Sequence, residues 1–215
     1  MPYSYTGNFP NQQLRNTGVF THADATNLQS FGEWGGSLQL IERKDVTGVS
    51  VADFLSIQED RYDVHLLQIN NYQTSVNSSS FAGVRFFESG VLESSGVYEI
   101  AYQRGDSNGA FGILQSTANS QLNFTRNFGS GDANHSGNGY MYFYNLGNSS
   151  KFSYQNLHST YLDQSSNAEF TMGGGVLPQA SKVDGIRIFE GSGTGTFSAT
   201  MDLFGVKELW VILDY

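Results

Sequence analysis

Cysteine is missing from all 215 residues, which excludes disulfides and thiolate metal sites. The absence fits assembly in a reducing cytoplasm. Charge is also scarce. Asp, Glu, Lys and Arg make up 14% of the chain, against roughly 25% in an average globular domain. Only 11 residues are basic, they are scattered, and the formal net charge is -9. No patch can neutralise a run of phosphates, so nucleic-acid binding is not expected. No apolar stretch approaches the roughly 20 residues of a membrane helix, so membrane insertion is not expected either. The opening Met1-Pro2-Tyr3-Ser4-Tyr5 has neither a basic start nor an apolar run, and no secretory leader is read there.

Gly, Ser, Asn, Thr and Gln take the place of the charges. Such a neutral polar surface suits particle-borne β-proteins. It also suits surfaces that end against other subunits, where each buried charge would need a partner. Aromatics reach 14%, enough for a dense core and some exposed platforms. The length fits one all-β domain with an arm.

Residues 1–35 lack a strand period and read as an extended N-terminal arm with one short helix over His22–Phe31, capped by Thr21. Tyr3, Tyr5, Phe9, Leu14, Val19 and Phe20 are its candidate partner-docking residues. From residue 36 to 215 the pattern is β. Short strands are expected at Ser37–Glu42, Val49–Phe54, Tyr62–Asn70, Phe81–Glu88, Val97–Arg104, Phe111–Leu114 and Gln121–Thr125. Others follow at Tyr140–Tyr144, Phe152–Tyr154, Ser159–Leu162, Glu169–Gly173 and Glu208–Leu213, with polar loops at Asn70–Ser80 and Gly129–Gly139. Val183–Lys207 reads as two strands around a glycine-rich reversal, a hairpin that closes a sheet. Its second strand puts Phe197, Ala199, Met201 and Leu203 on a buried face, with Thr196, Ser198, Thr200 and Asp202 wet. Together these give an antiparallel two-sheet sandwich, jelly-roll-like.

Motifs with chemical potential mostly read as structure. Gly105-Asp106-Ser107 matches the nucleophile block of one lipase and esterase family, but Asn108-Gly109 and a further strand follow, so a hairpin turn is expected. Asp132, Asn134, Ser136 and Gly137 mimic the start of a calcium loop that lacks its closing Glu. His22, His65, His135 and His158 have no metal-ligand spacing, so no metal or other cofactor is expected. Glu42 with Asp45, and Glu59 with Asp60 and Asp63, read as turn charges rather than a glycosidase pair. The runs Gly173–Gly175 and Gly191–Gly195 precede no helix and cannot cradle phosphate. Tyr140, Tyr142 and Tyr144 share one strand face. Exposed, they form a possible glycan-binding platform; buried, they are core.

Gly185-Ile186-Arg187-Ile188-Phe189, the loop with Ser192-Gly193, and a long strand closing on Leu203-Phe204-Gly205-Val206 resemble a C-terminal signature. That signature belongs to virion structural proteins of tailed bacteriophages. The strands at Gly36–Ile41, Tyr62–Asn71, Phe81–Phe87 and Tyr98–Tyr102, and the leader Leu14–Phe20, stand in the order the resemblance implies. Phe204 departs from the usual Tyr, and Thr200 from a common Gly. The resemblance carries no catalytic residues. It implies a non-enzymatic particle protein, made in the host cytoplasm and located on the virion, in a tail-fibre, baseplate or capsid-decorating position. A homo-oligomer, first a trimer, with neighbouring virion proteins as partners, is expected. The alternative is an adsorption module for a host surface glycan.

Overall fold

A computed structural model describes residues 37–76, 81–126, 128–129 and 134–207. The chain divides into two compact units, Met1–Gln39 and Leu40–Tyr215. The arm, its helix, its docking residues and the expected strand Glu208–Leu213 lie outside the described residues. Among the described residues no helix is long and apolar enough to cross a membrane.

The strands are β1 (Leu38–Val49), β2 (Val51–Phe54), β3 (Val64–Thr74), β4 (Ala82–Glu88), β5 (Val91–Leu92), β6 (Tyr98–Asp106) and β7 (Phe111–Asn119). Then come β8 (Leu122–Asn123), β9 (Gly137–Tyr144), β10 (Ser153–Leu162), β11 (Ala168–Leu177), β12 (Val183–Glu190) and β13 (Phe197–Val206). One sheet has eight strands in the order β1-β13-β3-β9-β10-β11-β6-β7. The other runs β2-β12-β4-β5, with β8 also paired to β4. Together they make an antiparallel two-sheet sandwich. The chain changes sheet at most of its connections.

Period-two burial builds the core. On β10, Ser153, Gln155, Leu157, Ser159 and Tyr161 are buried, while Tyr154, Asn156, His158 and Thr160 are exposed. The two inner faces meet in an aromatic layer. Phe86 of β4 meets Phe143 of β9 edge-on at 5.7 Å. Tyr72 stacks on Phe197 at 5.2 Å and meets Phe128 edge-on at 5.3 Å. Each such pair adds about 1 kcal/mol beyond its buried area. Burial also pushes the Tyr72, Tyr98, Tyr102 and Tyr161 phenols well above their ordinary range. Tyr98, Tyr102 and Tyr161 act as neutral donors: the Tyr102 hydroxyl donates to Gln155 Oε1 at 2.7 Å.

The structure corrects the reading of Val183–Lys207. Its two strands do not pair with each other: β12 lies in the five-stranded sheet, β13 in the eight-stranded one. The connection is a corner between sheets, not a hairpin. Each end stays in its own ladder, since Gly191 N–H donates to Phe81 C=O at 2.8 Å and Ser75 N–H to Thr196 C=O at 2.9 Å. Of its three glycines only Gly193 has positive φ, at 78°. The buried Glu190 carboxylate closes the corner by accepting the N–H groups of Ser192 at 3.0 Å and Gly195 at 3.1 Å. The apolar face of β13 is as expected, with Phe197, Ala199, Met201 and Leu203 buried. Asp202, expected wet, is 5% exposed because Arg43 of β1 covers it through a two-pronged ion pair.

Candidate functional site

On β9, Met141 and Phe143 are wholly buried. Strand alternation therefore sends Tyr140, Tyr142 and Tyr144 to the outer face of the eight-stranded sheet. Tyr140 is 41% exposed and the other two are half-buried, so the row is not core. The rings order one another. Tyr142 meets Tyr140 edge-on at 5.9 Å and stacks on Tyr144 at 6.4 Å, while Tyr140 meets His158 edge-on at 5.8 Å. The neighbouring strand β10 sets their partners: His158 lies opposite Tyr140, Asn156 opposite Tyr142, and Tyr154 opposite Tyr144.

The register continues that middle row across the sheet. Asn156 pairs with Gly174, Gly174 with Ala101, and Ala101 with Gln115. Gly174 and Ala101 raise almost no side chain, so the surface dips between two ridges. One ridge is His158, Met172 and Gln103; the other is Tyr154, Val176 and Glu99. The dip holds a depression of about 800 Å³ over Ala101, Gly174 and Gly175. A second, of about 540 Å³, lies over Gly173 beside Tyr140, His158 and Met172. Glycine is needed in this floor. Gly173 has φ of 143°, and a Cβ there would lie 2.3 Å from the Ala101 carbonyl oxygen. A Cβ on Gly174 would lie 2.8 Å from the Gln155 carbonyl oxygen. Among the described residues, Glu99 is the one Asp, Glu, Lys or Arg lining either depression. The arrangement can stack a ring-shaped or flat ligand on tyrosine and hydrogen-bond it through neutral amides.

No family model, curated protein or solved structure matches this chain.

The other sequence candidates are structural where they are described. Asp106 heads a tight turn, its carboxylate accepting the N–H groups of Asn108 at 2.9 Å and Ala110 at 3.0 Å. Ser107 therefore belongs to a hairpin turn between β6 and β7. Glu59 and Asp60 are held by Lys182 at 3.0 and 2.8 Å, and Asp45 accepts from Thr200 Oγ1 at 2.7 Å. His65 is buried and donates from Nε2 to the Ile57 carbonyl at 2.8 Å; burial holds its pKa below the ordinary value. His135 lies 3.4 Å from Ser166 Oγ, remote in sequence from the other histidines. His22 and Asp132 lie outside the described residues. Among the described residues no three His, Cys, Asp or Glu side chains come together as a metal site.

Sequence reasoning found the tyrosines and missed the depression beside them. Tyr154, Met172 and Ala101 fall in expected strands without a role, and Asn156 and Gln115 fall in none. The signal was there in the spacing of the glycine run within a strand, where glycine otherwise only weakens the ladder.

Proposed function

We propose that this chain is a non-enzymatic structural or accessory protein of a tailed-phage particle, acting through binding surfaces. The observation that carries this reading is the outward aromatic face of the eight-stranded sheet, a surface suited to contact. The likeness to the virion-protein signature supports it, because the matching residues set the architecture. A Cβ on Gly185 would lie 3.0 Å from the Phe54 carbonyl oxygen, and one on Gly205 would lie 2.3 Å from the Tyr62 ring. The two signature glycines thus admit close neighbours, Gly185 the β2 backbone within its own sheet and Gly205 the Tyr62 ring just before β3.

In this reading the protein is a homo-oligomer, first a trimer. Strand β7 offers a place for self-contact: it ends the eight-stranded sheet and carries Phe111 and Ile113, each 71% exposed. The arm residues Tyr3, Tyr5, Phe9, Leu14, Val19 and Phe20 would dock on neighbouring virion proteins in a tail-fibre, baseplate or capsid-decorating position. Immunogold labelling of intact particles tests the role. Gold at one repeated position is expected, and no signal on any virion component overturns it. Deleting Met1–Gly32 should abolish incorporation while the sandwich stays folded.

A second reading is favoured by the exposure of Tyr140, Tyr142 and Tyr144. They would form an adsorption platform for host surface glycan, carried on the same particle. A glycan array with the wild type and Tyr142→Ala tests it: binding that the substitution leaves unchanged removes the platform.

A further inference from the structure

We propose that the cleft across β10, β11, β6 and β7 is the seat of an extended, uncharged glycan strand, and that Tyr142 closes one end of it. The proposal rests on the glycan reading and deepens it, moving the main contact from the tyrosine row to the glycine-floored cleft beside it.

Shape comes first. The row Tyr142, Asn156, Gly174, Ala101, Gln115 crosses five strands. Four interstrand steps of about 4.8 Å make it about 19 Å long. A chain can lie along this row between the Met172 and Val176 ridges. The backbone of Gly173 and Gly174 lets it approach the sheet closely, and any bulk there would push Ala101 or Gln155 aside.

Chemistry comes second. Sugar rings have apolar C–H faces and a polar hydroxyl edge. Tyr142, Tyr154 and Tyr140 supply aromatic surfaces for the former, and Tyr154 is 45% exposed. Asn156, Gln103 and Gln115 supply amides that both donate and accept, as hydroxyls require.

Charge decides the class of glycan. Among the described residues no Lys or Arg lines either depression, Glu99 does, and the whole chain carries -9. Such a site repels uronate, sialate or phosphate-bearing polymers and accepts neutral ones. It equally disfavours an acidic protein surface in the cleft itself; the self-contact proposed for β7 lies outside the lining, at Phe111 and Ile113.

The test is calorimetric titration of the full-length protein with neutral linear hexose oligosaccharides of increasing length, and with acidic oligosaccharides as contrast. Affinity should rise with length until the cleft is filled, with no binding of the acidic set. Ala101→Gln adds a side chain to the exposed floor without touching the core, and should abolish binding while its thermal melt matches the wild type. Tyr142→Ala should weaken binding about tenfold. Wild-type affinity in Ala101→Gln, with loss in Tyr142→Ala, overturns the cleft and leaves the tyrosine platform standing. No binding of any neutral oligosaccharide by the wild type overturns both. A drop in oligomeric mass on Ala101→Gln, read by sedimentation, overturns the glycan occupant in favour of a second copy. Preference for the acidic set also overturns the proposal.

Discussion

Arg187 grips Asp53 on the adjacent strand with both prongs of its guanidinium, Nε to Oδ1 and Nη2 to Oδ2, each at 2.6 Å. The same guanidinium lies over the Phe87 ring, 5.2 Å from its centre. The arginine of the virion-like signature is thus a clasp between β12 and β2, and the Asp53 bond raises its pKa further. Lysine can supply the charge but not the fork. Arg187→Lys should cost about 1–2 kcal/mol of stability, read by urea denaturation. An unchanged midpoint would show that the pair contributes nothing.

Glu190 should matter more. Its buried carboxylate accepts two backbone N–H groups and the Ser192 hydroxyl at 2.5 Å, and these contacts shape the corner between the sheets. Glu190→Ala leaves those donors without their acceptor. A loss of about 3 kcal/mol is expected in chemical denaturation, with Glu190→Gln losing less.

Met201 is fully buried in the middle of β13. Met201→Asp places an unpaired charge there, which costs several kcal/mol or more. The variant should lose its near-ultraviolet circular dichroism and show no native state. A folded Met201→Asp protein would mean that β13 buries its other face.

His65 gives a pH dependence of known sign. Burial lowers its folded pKa below the ordinary value, so the unfolded chain binds the proton more readily. His65 then costs no stability above about pH 6.5, and stability falls as pH drops through that value toward the folded pKa. The slope should reach at most about 1.4 kcal/mol per pH unit. Melting curves between pH 7.5 and pH 5 should flatten in His65→Gln; an equally steep fall in that variant would assign the dependence elsewhere.

The β class was legible because alternation survives wherever the inner residue is apolar, as in Val97–Arg104 and the β13 face. It failed where the core itself is polar. Gln155 and Ser159 are buried through Tyr102 and the Phe124 carbonyl, so β10 read as two fragments around a polar gap. Asn70–Ser80 looked like a loop, yet β3 runs on to Thr74, carrying the fully buried Tyr72. The corner at 191–196 was mistaken for a hairpin because turn chemistry is local. Whether flanking strands share a sheet depends on distant partners, here Phe81 and Ser75. The cleft was invisible for the same reason. Asn156, Gly174, Ala101 and Gln115 become neighbours only through cross-strand register.

The path of β12 and β13 has a consequence for how the protein is made. β12 lies between β2 and β4, and β13 between β1 and β3, so each fills an interior slot of a different sheet. During synthesis, β2 stays apart from β4 until Glu190 has left the ribosome, and β1 stays apart from β3 until Val206 has. The ladders from β3 through β9, β10, β11 and β6 to β7 need neither β12 nor β13, but β1 and β2 must wait for theirs, because contacts this distant in sequence form late. A product cut short before Val183 would leave the edge strands β1 and β2 without their sheet neighbours and open to proteolysis. Only chains translated through this segment can join β1 and β2 to their sheets, which makes the corner a checkpoint on chain length.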